Sequence, residues 1–235
     1  VSYSDRAGNR LLTRRMARMP ETNKATLKRQ LTAEVMGALI QQPALRVVKV
    51  ADGAADNWSY LGELLPFGDE VLDFYHAVTH LGDALGAAYG EGTLQYQARF
   101  ATLREVLRDA PEGVDTVLGV LGALCRLRTR YPRRQAIHKA LAYFREHRHR
   151  MRYGALRAQN LPIGSGVVEA ACKTLVSQRL KRAGMRWRTV GGQAILTFRA
   201  LCQSERFERA WCLLGETYKR SVMLPRHVIA LSQRR

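Results

Sequence analysis

Acidic residues are scarce in this chain: 20 Asp and Glu stand against 38 Lys and Arg over 235 residues, a formal net charge of +18. That balance argues against an ordinary metabolic enzyme and points to a polyanionic partner. Cysteine is also thin. Cys125, Cys172, Cys202 and Cys212 form no C-x-x-C pair and follow no secretory segment, so a disulfide framework is not expected and a reducing cytoplasm is the simplest compartment. No apolar run approaches the roughly 18 to 20 residues that span a bilayer, which predicts a soluble chain with no membrane partner. Two catalytic signatures are missing as well. Without a Gly-x-Ser-x-Gly turn or a Walker loop, neither a serine nucleophile nor a nucleotide-phosphate loop is expected, and no small-molecule substrate is implied.

The positive charge is localised. Between Arg126 and Arg188 there are 17 Lys and Arg but only two acids, Glu146 and Glu169. A solvated helical face explains a few of these charges, whereas so lopsided a stretch favours phosphate contacts. A membrane-surface helix fits less well, since no segment pairs this charge with a wide aromatic face.

At this length the chain can bury a sizeable core as one domain carrying an insertion, with no repeat or low-complexity linker to divide it. Val1 to Ser4 and Arg10 to Met19 read as extended around an Asp5-to-Asn9 turn, predicting a hairpin. Leu27, Leu31, Val35, Ala38 and Leu39 recur at helical spacing. The β-branched run Leu45 to Ala51 reads as a buried strand delivering Asp52 to a turn. A helix over about Asn57 to Leu65 and a strand over Glu70 to Phe74 complete a β-β-α-β-α-β order. From Tyr75 onward only helices are expected, including an apolar stripe of Val114, Val117, Leu118, Leu121, Leu124 and Cys125 and a basic helix from Tyr131 to His147. Asn160 to Gly166 is the clearest loop, followed by helices from near Val167, over Gly191 to Gln203 and over Ser204 to Tyr218.

Asp52, at the carboxyl end of a strand, and Glu169, in the first turn of a helix, are the carboxylates best suited to a metal-assisted phosphodiester reaction. Hard oxygen ligands favour Mg²⁺ or Mn²⁺, and acids from separate elements must converge on the ions. Each also has a structural reading: Asp52-Gly53 as a plain turn, Glu169 as an i,i+4 partner of Lys173. His76 and His80 share the spacing of many zinc sites, but no third ligand lies nearby in sequence and no Glu follows His76 in metalloprotease order.

Three blocks carry a resemblance. Asn160-Leu-Pro-Ile-Gly-Ser-Gly-Val-Val-Glu-Ala-Ala-Cys-Lys-Thr-Leu-Val, continuing through Gln178-Arg-Leu-Lys-Arg-Ala-Gly-Met-Arg-Trp187, resembles the C-terminal catalytic block of ISKra-type bacterial insertion-sequence transposases, with Glu169 at the last catalytic acid. Val50-Ala-Asp-Gly-Ala-Ala-Asp-Asn-Trp58 resembles the block of the second acid, which falls on Asp52. Asp73-Phe-Tyr-His76 resembles the Asp-x-x-His signature shared with Mutator-like relatives. The resemblance implies a ribonuclease H-like α/β fold with a large all-helical insertion: 1–76 as the first part of the core, 77–159 as the insertion, 160–218 as the C-terminal catalytic helices and 219–235 as a basic tail. It further implies a DDE transposase that cleaves and joins strands at element ends with two Mg²⁺ or Mn²⁺ ions. Double-stranded DNA would be the partner and the bacterial nucleoid the setting, with a homodimer holding both ends. The family's first catalytic Asp falls on a strand upstream of Val1, so the chain is expected to lack that strand, and Asp5 reads as a turn residue.

By the same resemblance Asp73 and His76 support the active site, with a buried hydrogen-bonded pair as the alternative. Lys173, Arg179, Lys181, Arg182 and Arg186 would contact DNA backbone near Glu169, and Trp187 would stack on an unpaired base or sit in the core. Arg133, Arg134, Arg145, Arg148, Arg150 and Arg152 make the insertion a second DNA-facing surface, with His147 and His149 lending it pH sensitivity. Two rival functions stay open: a noncatalytic DNA-binding remnant, and a protein that binds or cleaves structured RNA.

Overall fold

Asp5 and Asn9 close the first turn of the chain. The Asp5 carboxylate accepts the Asn9 amide at 2.8 Å and the Asn9 side-chain amide at 2.9 Å, joining β1 (Ser2–Ser4) to β2 (Arg10–Thr13) in an antiparallel hairpin. Asp5 is therefore a turn residue, as expected. This computed structural model describes residues 1–126 and 131–221; Arg128, Arg130 and the basic tail from residue 222 onward lie outside them.

Strand β2 stops at Thr13, short of the predicted Met19, because α10 (Thr189–Gln203) and the residue after it take over the partners of the extended chain. The Arg15 amide donates to Ser204 Oγ at 2.8 Å, and the Met19 amide donates to Gln193 Oε1 at 2.9 Å. After α1 (Ala25–Gln41), β3 (Val48–Ala51), α2 (Ala55–Leu64) and β4 (Asp69–Leu72) form a β-α-β unit in which the strands run parallel. The hairpin and this unit are separate two-stranded sheets. The element order matches the sequence reading, but among the described residues no strand pairing joins the two sheets into a larger one.

Helices make up most of the chain: α3 (Phe74–Tyr89), α4 (Leu94–Asp109), α5 (Gly113–Cys125), α6 (Tyr131–His147) and the short α7 (Tyr153–Arg157). In α3, Phe74, Ala77, Val78, Leu81, Ala84 and Leu85 recur at three- and four-residue steps and are all buried, the stripe a core-facing helix needs. They pack with Val71 and Leu72 of β4, Val117 and Leu121 of α5, and Ile137, Leu141 and Phe144 of α6. The helical segment and the β3–β4 pair thus share one hydrophobic core. No helix among the described residues is long and apolar enough to cross a membrane.

Beyond the loop, α8 (Gly166–Ala171) passes through a π-helical stretch, Cys172–Ser177, into α9 (Gln178–Leu180). The single helix read from the sequence is widened here, where Arg199 of α10 donates to Thr174 O at 2.5 Å and Thr174 Oγ1 donates to Gln203 Oε1 at 2.9 Å. Side-chain insertion of this kind is a usual cause of π distortion. A second small core of Leu175, Leu196 and Ala200, packed with Ala17 and Met19, ties these helices to the segment after the hairpin. Helix α11 (Phe207–Ser221) follows.

Candidate active site

The register of the parallel strands pairs Val50 with Val71 and Ala51 with Leu72. The next residue on each strand is an acid, and the Asp73 amide donates to Ala51 O at 2.8 Å. Asp52 and Asp73 therefore leave neighbouring strands at one carboxyl edge. Ligand sites in parallel α/β units tend to gather at such edges.

Asp52 is oriented from its own loop. Its Oδ1 accepts the Ala54 amide at 3.2 Å and Asn57 Nδ2 at 2.9 Å, while its main-chain oxygen accepts Trp58 Nε1 at 2.7 Å. Among the described residues Oδ2 has no hydrogen-bond partner. Asp52-Gly53 is a turn, closed by the Asp52 side chain on the Ala54 amide, and it sits at the end of a strand of a β-α-β unit.

Asp73 is fully buried. One carboxylate oxygen caps α3 by accepting the Tyr75 amide at 2.8 Å. The other accepts the Ser165 amide at 3.0 Å and also the Ser165 hydroxyl. Phe74 N donates to Ile163 O at 2.9 Å, so the loop before α8 is clamped to the end of β4. Ser165 O then accepts the amides of Val168 at 2.7 Å and Glu169 at 3.1 Å, opening the helix that carries Glu169. A run of direct contacts thus leads from Ala51 through Asp73 and Ser165 to the first turn of α8. The Glu169 side chain is exposed and has no ion-pair partner among the described residues, so the i,i+4 pair with Lys173 is not formed. His76 is exposed, and the pair of Asp73 with His76 is not formed either, because Ser165 and Tyr75 take the Asp73 oxygens.

A wall of rings faces the same edge. A Cβ placed on Gly53 would lie 2.5 Å from Tyr143 Cε2 and 3.1 Å from His147 Nε2, so the Asp52 turn approaches α6 more closely than any side chain would permit. The Tyr143 ring lies 3.9 Å from that of His80 on α3 and 4.8 Å from that of His147. Burial first, then the negative charges of Asp52 and Asp73, push the Tyr143 hydroxyl up to about 12. Burial also lowers His80 and His147 below the usual imidazole range. Tyr153 is buried against Phe74, ring centroids 5.3 Å apart, and its hydroxyl has no hydrogen-bond partner among the described residues. Its titration is pushed well up, chiefly by burial and then by the charges of Tyr143 and Asp73. Tyr143, Tyr153 and Trp58 were not legible as site residues. The only signal was that Tyr143 and His147 repeat, on α6, the four-residue spacing of His76 and His80 on α3.

A polar chain underlies Asp52. Lys49, only 6% exposed, donates to Leu65 O at 2.9 Å and to Glu70 at 3.1 Å. Glu70 also accepts Arg150 Nε at 2.8 Å, and the Arg150 guanidinium sits 4.0 Å over the Trp58 ring that bonds to the Asp52 carbonyl. Burial raises the Glu70 carboxyl, but the bonds from Arg150 and Lys49 outweigh it and hold it below the ordinary range. Arg150, expected to face DNA, is therefore committed to an internal network. Arg148 makes a bidentate pair with Asp115 at 2.6 and 2.9 Å. By contrast, Lys173, Arg179, Lys181, Arg182, Arg186 and Arg152 are exposed and form no ion pair among the described residues. Trp187, at 39% exposure, is not a core residue.

Hard carboxylate oxygens without protein partners among the described residues, on Asp52 and Glu169, suit Mg²⁺ or Mn²⁺. Asp73 does not, since its oxygens already accept three donors. Among the described residues no group of three or more His, Cys, Asp and Glu side chains is arranged to hold a metal ion. Comparison with protein-family models, with characterised proteins and with solved structures finds no match.

Proposed function

We propose that this chain is the greater part of the catalytic core of a cut-and-paste DNA transposase of the ISKra-like, ribonuclease H-like type. One observation carries the reading. The buried carboxylate of Asp73 holds Ser165 across 92 positions of sequence, and so anchors the helix of Glu169 at the strand edge where Asp52 emerges. Direct contact between the Asp73 and Ser165 blocks supports the resemblance, as does a basic segment from Lys173 to Arg188 that forms no ion pair among the described residues.

Asp52 and Glu169 would be ligands to the Mg²⁺ or Mn²⁺ ions, two in the complete enzyme, with water and substrate phosphate among the remaining ligands. When bound, the ions supply Lewis-acid stabilisation of in-line displacement at phosphorus, first by water and then by a freed 3′-hydroxyl. Asn57 and the Ala54 amide fix Asp52 through one oxygen and leave the other for an ion. Asp73 positions; it does not ligate. Arg179, Lys181, Arg182 and Arg186 bind backbone phosphates and hold the strand in line.

The lopsided charge, 38 Lys and Arg against 20 Asp and Glu, supports one second reading, a DNA-binding protein without cleavage activity, since duplex binding needs the cations alone. Strand cleavage separates the two. In a protein that also carries the family's upstream strand, Asp52→Asn or Glu169→Gln should abolish Mg²⁺-dependent cleavage and leave duplex binding intact. Full activity in either variant removes the catalytic assignment, and preference for structured RNA over duplex DNA at matched salt removes the DNA reading.

A further inference from the structure

Beside the carboxylate edge lies an open cleft of about 520 Å³, lined by Arg10, Tyr75, Arg104, Arg108, Arg157 and the loop from Pro162 to Val167. We propose that it binds one nucleotide of an unpaired strand, the base stacking on Tyr75 and the phosphate held by Arg10 and Arg104. The proposal rests on the nucleic-acid reading above and assigns it a strand-specific subsite.

The four arginines come from three different elements, Arg10 from β2, Arg104 and Arg108 from α4 and Arg157 from α7, with Tyr75 from the start of a fourth, α3. A solvated charge run would lie along one helix, whereas these converge. They are not equivalent. Arg108 and Arg157 both pair with Asp109, which neutralises part of their charge, while Arg10 and Arg104 form no ion pair among the described residues. Two unneutralised guanidiniums facing one cavity suit a phosphate group.

Tyr75 supplies a flat apolar platform. A Cβ on Gly164 would lie 2.9 Å from Tyr75 Cε2, so the glycine lets the ring lie against the loop, and Phe74 fixes it edge-on at 5.7 Å and 72°. Even so, 53% of Tyr75 is exposed. A held but half-open aromatic ring beside phosphate-binding groups is the usual platform for an unstacked base. The volume lies within the range of pockets that take small ligands.

Two features favour a strand over a free nucleotide. Asp73 accepts the Tyr75 amide, so the cleft begins two residues from the carboxylate edge, and a strand reaching Asp52 can seat a neighbouring nucleotide here. In addition, Arg157 and Pro162 also line a second pocket of about 350 Å³ that extends to Gly8 and Asn160, which continues the path away from that edge. An intact duplex offers no unstacked base, so the cleft selects unpaired ends.

The test is fluorescence anisotropy with labelled oligothymidylate and with a blunt duplex, using the whole chain. Tyr75→Ala should weaken oligothymidylate binding about tenfold, and Tyr75→Phe should restore it. Arg10→Gln with Arg104→Gln should weaken it comparably and flatten its salt dependence. Blunt-duplex affinity should hardly change in any of them, with thermal melting confirming that each variant folds. Equal losses on both probes, or no loss in both the tyrosine and the arginine variants, overturns the proposal. Displacement of the oligomer by thymidine 5′-monophosphate at comparable concentration overturns the strand and leaves a nucleotide site. Failure of the wild-type chain to bind blunt duplex counts against the transposase reading, while the oligothymidylate arm still judges the cleft.

Discussion

The buried carboxylate of Asp73 accepts both the amide and the hydroxyl of Ser165 while capping α3 through Tyr75. Removing this fully buried carboxylate orphans three donors at once. Hydrogen bonds to a charged acceptor contribute about 1.5 to 3 kcal/mol each, and their losses do not add fully. Asp73→Ala should therefore cost at least about 3 kcal/mol, and Ser165→Ala about 1 to 2 kcal/mol. Urea denaturation measures both. A loss below about 0.5 kcal/mol in Asp73→Ala would mean that the loop docks by other contacts.

The close approach of Gly53 to Tyr143 makes a second prediction. Gly53→Ala drives a methyl group to 2.5 Å from the Tyr143 ring, an overpacking worth about 1 to 3 kcal/mol. Removing the ring should relieve the clash, so Gly53→Ala with Tyr143→Ala should destabilise less than the sum of the single variants. Additive losses in a double-mutant cycle would show that the two groups do not meet.

Element order was largely readable because periodicity is local. The hairpin turn at Asp5, the stripe of α5 and the bounds of α6 at Tyr131 and His147 all follow from residues close in sequence. Long-range partnerships were not. Lys49 is the buried side chain of its strand, because Leu65 O and Glu70, both outside that strand, satisfy its amine. Arg150 looked like part of a basic DNA-facing run, but Glu70, 80 positions away, and Trp58 hold it inside. The two residues share one cause: charge predicts exposure only where no partner from another element reaches the group.

The ring wall predicts a pH dependence. His80 and His147 are both lowered, chiefly by burial; Asp83 opposes the shift at His80 and Glu146 at His147, while Lys139 and His76 deepen the first and Arg150, His149 and His80 the second. A histidine with a depressed folded-state pKa binds its proton more readily when unfolded. Its contribution is present above the unfolded value near 6.5 and is lost as pH falls through the lower folded value. The urea midpoint should therefore fall from pH 7 to pH 5, and His147→Gln should flatten that decline. An unchanged slope in the variant would place the pH sensitivity elsewhere.

The basic surface divides into cations already paired and cations still open, and the division predicts different responses to the same substitution. Arg148 is held by Asp115, and Arg150 by Glu70 and Trp58; replacing either with Gln should lower stability and leave the salt dependence of duplex binding nearly unchanged. Arg179, Lys181, Arg182 and Arg186 are exposed and without ion-pair partners among the described residues, so each is available to displace a counterion from a phosphate. For duplex DNA every phosphate neutralised adds about 0.9 to the slope of log affinity against log salt. Changing all four to Gln should therefore shrink that slope by about 2 to 4, weaken binding similarly across sequences and leave the melting temperature close to wild type. Anisotropy titrations over a series of salt concentrations supply the slope. If the four-residue variant keeps the wild-type slope while Arg148→Gln loses it, the DNA path runs over the α6 side of the molecule, and the strand that meets Asp52 does not pass Glu169 on the route argued above.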